Sequence, residues 1–162
     1  MEDYMMKRIV SLVLVALLAV AVFAGCGGAG NDAKKVDLPA VMDSINSANG
    51  LSLEKLDSAD MLTRYYSIDA ADVKQFAAEM DKNNDAPVEI VLIEAVDADA
   101  AGRVETALTT RYNSILRTYN SYTPEKVAMV EACKVTKDGN FVSMIVADNA
   151  AAMLKTYQDS LK

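Results

Sequence analysis

Pro87-Val-Glu-Ile-Val-Leu-Ile-Glu-Ala-Val96 is the stretch on which the fold turns. In an extended chain Val88, Ile90 and Leu92 stand on one side, and Val91 and Ile93 on the other. Apolar residues on both sides suit a strand inside a sheet rather than at its edge. Just upstream, Val73 to Met80 alternates weakly, with Phe76, Ala78 and Met80 on one side. Asp81 to Ala86 then reads as a hairpin loop, and strands joined by so short a loop must run antiparallel.

Working outward, Asp97 is placed to cap a long helix over Ala98–Tyr119, with Val104, Leu108, Ile115 and Tyr119 as its buried stripe and Tyr112 beside it. Thr123 and Pro124 open a short helix through Ala132, Thr as cap and Pro in the first helical position. Val127 and Val130 would face inward. Asp138-Gly139 lies between Lys134–Lys137 and Asn140–Ala147, a hairpin signal because both turn residues must reach positive φ. Asp148 to Leu161 closes the chain as a helix facing in with Met153, Leu154, Tyr157 and Leu161. On the other side, Asp37 to Asn49 carries Leu38, Val41, Met42, Ile45 and Ala48 on one helical face and ends at Gly50. Leu51, Leu53 and Leu56 form a connector, and Ser58 to Tyr66 a further turn or two of helix. The order α-ββα(α)-ββα predicts a single α+β domain over residues 37–162. It is expected to have two layers, a four-stranded, mostly antiparallel sheet with helices on one face.

The first 25 residues have a different character. Lys7 and Arg8 precede Ile9 to Ala24, a run apolar throughout except at Ser11. A bilayer-spanning helix needs about 20 apolar residues, so a shorter run behind a basic start reads as an export signal over residues 1–25. It ends in Val22-Phe-Ala-Gly-Cys26, which resembles the lipobox of bacterial lipoproteins in Ala24, Gly25 and Cys26, with Phe23 in place of the usual Leu. That resemblance implies a thiol that takes up diacylglycerol, followed by cleavage before Cys26 and acylation by chains such as palmitate. A thiolate is the nucleophile such a step needs, and more than one acyl chain is required for a stable hold. Glu2 and Asp3 are out of place in an export signal, and a start at Met5 or Met6 would give a conventional opening. Residues 26–36, small and Gly-rich, read as the lipidated Cys and a flexible tether.

Removing residues 1–25 from 162 leaves 137, enough for one domain. Lys7, Arg8, Glu2 and Asp3 leave together, so the net charge stays at −7. An acidic chain lacks the basic footprint of nucleic-acid binding. With 2 cysteines, one of them committed to lipid, Cys133 has no partner within the chain and reads as a small buried apolar residue. There is no histidine, which removes the commonest general base and zinc ligand. No cofactor or metal is expected, and no catalytic residue stands out.

Several motifs have plainer explanations. Gly25, Gly27 and Gly30 spell a dinucleotide fingerprint, but no strand precedes them. Asp81-Lys-Asn-Asn-Asp85 imitates the start of a calcium loop, yet Ala86 stands where Gly is required and Leu92 where Glu is required. Asp97 and Asp99 suit a helix start. Tyr65, Tyr66, Tyr112, Tyr119 and Tyr122, with Arg64, Arg111 and Arg117 near them, are an aromatic and basic set that suits either a core rim or a groove. Tyr65, Tyr66, Arg111 and Tyr112 are the candidate binding patch.

The succession of Leu62-Thr-Arg-Tyr-Tyr-Ser-Ile-Asp69, Val88-Glu-Ile-Val-Leu-Ile-Glu94, Arg111-Tyr112, Tyr122-Thr-Pro-Glu125 and Asp138-Gly-Asn-Phe-Val142 resembles DUF4358, a domain of unknown function found in bacterial lipoproteins. The resemblance implies an extracytoplasmic lipoprotein with an α/β domain. It brings no activity and no catalytic residue. The expectation is therefore a non-enzymatic module, held at the extracytoplasmic face of the cell membrane by diacylglyceryl Cys26, that binds an envelope protein or cell-wall component. The alternatives are a small-solute-binding accessory of a transporter and an envelope hydrolase.

Overall fold

The computed structural model describes residues 35–81 and 87–162. The export signal, Cys26 and most of the tether therefore lie outside the described residues, as do residues 82–86 of the calcium-like loop.

Helix α1 (Leu38–Asn49) starts where the sequence places it. The Asp37 carboxylate accepts from the Ala40 N–H, Pro39 sits in the first turn, and Gly50 at φ 63° ends the helix. Leu38, Met42 and Ile45 are its buried face. Then follow β1 (Glu54–Lys55), α2 (Ala59–Tyr66), a 3-10 turn (Ala70–Asp72), β2 (Val73–Met80) and β3 (Glu89–Ala95). The long helix α3 (Ala98–Tyr122) is capped by the Asp97 carboxylate, which accepts from the Ala100 N–H at 2.8 Å. Beyond it lie a 3-10 turn (Pro124–Lys126), α4 (Val127–Glu131), β4 (Lys134–Asp138), β5 (Phe141–Val146) and α5 (Ala150–Ser160). Thr123 occupies the cap position before Pro124, but its side chain accepts no cap hydrogen bond.

The class is the expected mixed α+β one, with a fully antiparallel sheet in the order β1-β2-β3-β5-β4. The sheet has five strands rather than four. The extra edge strand, β1, is two residues long with both side chains exposed, so no alternation marks it. The second hairpin turns through Gly139 and Asn140, one residue later than expected, because Asp138 pairs with Phe141. Only Gly139 takes positive φ, 55°, in keeping with a turn whose first central position alone is left-handed.

The expectation of helices on one face is also corrected. Cross-strand partners share a face. Gln75 with Glu94, Ala77 with Leu92 and Glu79 with Ile90 form one, while Phe76 with Ile93, Ala78 with Val91 and Met80 with Glu89 form the other. Helix α1 covers the first: Asn46 donates to Glu79, and the Leu38 N–H donates to Gln75. Helix α5 packs on α1 and β5. Helix α3 covers the second face, where Arg111 donates to Glu89. The layers are therefore helix, sheet, helix. Every residue of β3 except Glu94 is buried, as is every residue of β5 from Val142 to Val146, and strands apolar on both sides need cover on both. The core runs unbroken from Val36 to Tyr157, so Val36 belongs to the packed domain rather than to the tether.

Candidate functional site

Helix α3 is 25 residues long, about 37 Å. Its partner strand β3 is 7 residues long, about 23 Å. The helix therefore outruns the sheet. Its second half, from Arg111 to Tyr122, leans over the end where β2 finishes and β3 begins. Between them lies a groove of about 420 Å³. One stripe of α3 forms the wall, with Arg111, Ser114, Thr118 and Tyr122 three or four residues apart. Met80, Val88 and Ile115 supply an apolar base.

At its inner end is a two-point ion pair. Arg111 donates from Nε to Glu89 Oε1 at 3.0 Å and from Nη2 to Glu89 Oε2 at 2.7 Å. The Glu89 side chain is 6% exposed and that of Arg111 33%. A carboxylate placed so deep requires such a partner. Behind the pair, the buried Tyr66 hydroxyl is directed at the Glu89 carboxylate without reaching full hydrogen-bond geometry to any described residue. Burial first, and the Glu89 charge second, hold its phenol far above the ordinary tyrosine range. The hydrogen bonds to Glu89 hold the Arg111 guanidinium above its ordinary value despite partial burial. Neither group changes protonation near neutral pH. Tyr119, half-buried in the groove, is raised by burial and then by the Asp81 charge.

The four residues singled out in the sequence divide in two. Tyr66 and Arg111 converge on Glu89. Tyr65 is exposed, with the Arg64 guanidinium 6.0 Å from its ring centroid. Tyr112 turns toward α4, donating its hydroxyl to the Val130 carbonyl at 3.0 Å. Adjacent residues on a helix stand about 100° apart, so neither Tyr65–Tyr66 nor Arg111–Tyr112 can present both members to one place. Sequence reasoning missed Glu89. The signal was available: an acidic residue opening a strand otherwise apolar on both sides needs a buried cation.

Elsewhere, Cys133 is buried, its thiol directed at the carbonyls of Met129 and Ala147, and burial raises it above the ordinary thiol range. Asp72 accepts two bonds from the exposed Arg103, at 2.6 and 2.9 Å, fixing the 3-10 turn to α3. Among the described residues no group of three or more His, Cys, Asp or Glu could hold a metal ion. Also among them, no helix is long and apolar enough to cross a membrane.

The family model described as Domain of unknown function (DUF4358) matches residues 46–147, well over half of the chain. That span runs from the last turn of α1 through β5 and includes every residue of the groove. No curated protein and no solved structure matches.

Proposed function

The chain belongs to the DUF4358 family, and from that premise we propose that it is a lipid-anchored module of the extracytoplasmic membrane face that binds through the groove beside α3 without catalysing a reaction. The observation that carries the address is Val22-Phe-Ala-Gly-Cys26 at the end of the apolar run. Cys26 takes the acyl chains, and the residues up to Lys35 set the domain off the bilayer.

The groove supports a binding role. Its most deeply placed charges are spent on each other in the Glu89–Arg111 pair, and the phenol behind them is held protonated. Such groups hold a shape and present donors. The Tyr66 phenol and the Arg111 guanidinium, both raised, keep their protons at neutral pH, whereas general acid–base work would require giving them up.

The test is the full chain produced in a bacterial host. The mature protein should begin at Cys26, carry the mass of a diacylglyceryl group and enter the detergent phase on phase separation. The Cys26→Ser variant should remain uncut and lose the acyl mass. Normal maturation and unchanged partitioning of that variant would overturn the address.

A further inference from the structure

We propose that the groove between α3 and the β2–β3 end is a site for a neutral, hydroxyl-rich ligand, a glycan chain. This rests on the binding-module reading and names its ligand class.

The first consideration is charge. Arg111 is the one basic residue lining the groove among the described residues, and Glu89 already answers it at two points. Asp81 adds a further carboxylate to the lining. Among the described residues an anionic ligand would meet no uncompensated cation there.

The second is the inventory of polar groups. The hydroxyls of Ser114, Tyr119, Tyr122 and Thr123 line the groove, and none makes a hydrogen bond among the described residues. Thr118 donates to the Ser114 carbonyl at 3.0 Å and retains its acceptor capacity. A hydroxyl both donates and accepts, as does each hydroxyl of a sugar. A row of them repeating along one helix stripe matches a ligand that repeats the same group along its length.

The third is aromatic surface. Tyr122 is 83% exposed at the groove mouth, and Tyr119 is half-buried beside it. A ring with an apolar face and a polar tip suits a partner with a C–H face and a polar rim. The groove does not suit an extended peptide adding to the sheet. Strand β3 is paired on both sides, and at its end the Asp81 N–H is already bonded to the Val88 carbonyl at 2.8 Å.

The experiment is calorimetric titration of the full chain, in a sugar-free detergent, with chitotetraose, maltotetraose and tetragalacturonate. At least one of the two neutral probes should bind with Kd below about 1 mM. Tyr122→Ala should weaken that binding roughly three- to tenfold with unchanged Tm, since the ring is exposed. Ser114→Ala should weaken it less. Absence of binding by both neutral probes, tighter binding of tetragalacturonate than of either, or undiminished binding by Tyr122→Ala would each overturn the proposal. The Cys26 fractionation is scored separately. A protein that is acylated but binds neither neutral probe loses the glycan and keeps the anchor, and one that binds glycan without being acylated does the reverse.

Discussion

The two faces of the sheet solve one problem in different ways. Each buries a strand carboxylate: Glu79 under α1, 2% exposed, and Glu89 under α3, 5% exposed. Each also buries a tyrosine hydroxyl that makes no full hydrogen bond among the described residues, Tyr157 on one side and, beside Glu89, Tyr66 on the other. On the α1 face Glu79 is met by a neutral amide, Asn46 at 2.6 Å, with the Lys55 ammonium only at 3.8 Å. On the α3 face Glu89 is met by a two-point guanidinium. On the α1 side Leu38, Met42 and Ile45 are buried, while the Glu79 carboxylate is reached by the half-buried Asn46 and by Lys55, whose side chain is 66% exposed. The α3 side opens into the groove at the position of its carboxylate. A buried charge beside solvent can carry a full counter-ion, whose far edge remains hydrated. Glu79 instead shares its charge between a neutral amide at hydrogen-bond distance and a more distant ammonium that stays hydrated, so less rests on any one ion pair.

The largest effect should come from breaking the α3 pair. Arg111→Leu leaves Glu89 buried and unanswered, and should lower the unfolding free energy by about 3–5 kcal/mol in urea titration. The Glu89→Leu/Arg111→Leu double variant should recover most of that loss, since two apolar side chains strand no charge. A single-variant loss below about 1 kcal/mol would mean that water reaches Glu89 and the faces are alike. On the α1 face, Asn46→Leu should cost less, about 1–3 kcal/mol, the scale of a hydrogen bond to a charged group left unmade. A loss as large as that of Arg111→Leu would invert the ranking of the two sides. The smallest effects sharpen the contrast. Tyr157→Phe removes a buried hydroxyl with no partner and should stabilise by up to about 1 kcal/mol in the same titration. Tyr66→Phe should gain less, because its hydroxyl lies near the Glu89 carboxylate. A clear loss from either would reveal a hydrogen bond that the static geometry lacks.

Legibility in the sequence follows the range of the interactions involved. Caps and turns act over three or four residues, so Asp37, Pro39, Gly50 and Asp97 mark helix ends where they are found. The doubly apolar 88–93 run announced a central strand, and β3 is one. The same run also implied cover on both sides, but a single layer of helices was expected because nothing local says which face each helix takes. Strand β1 owes its existence to pairing with Glu79 and Met80 and has no pattern of its own. The candidate site was half visible. Tyr66 and Arg111 meet at Glu89, 22 residues before that arginine in the chain. Tyr65 and Tyr112 were grouped with them by adjacency, which helical geometry turns into divergence.

The mismatch in length between α3 and the sheet has a consequence for motion. Ala100, Ala101, Val104, Leu108 and Ile115 are the buried residues of that helix, and none follows Ile115. The segment up to Ile115 is anchored in the core, so its amides should exchange with deuterium most slowly. Beyond it the packing comes from the half-buried Leu116 and Tyr119, so these last turns should exchange faster, through local fraying. The groove wall thus spans both parts of one helix, Arg111 and Ser114 on the firmly packed part and Thr118 and Tyr122 on the end beyond it.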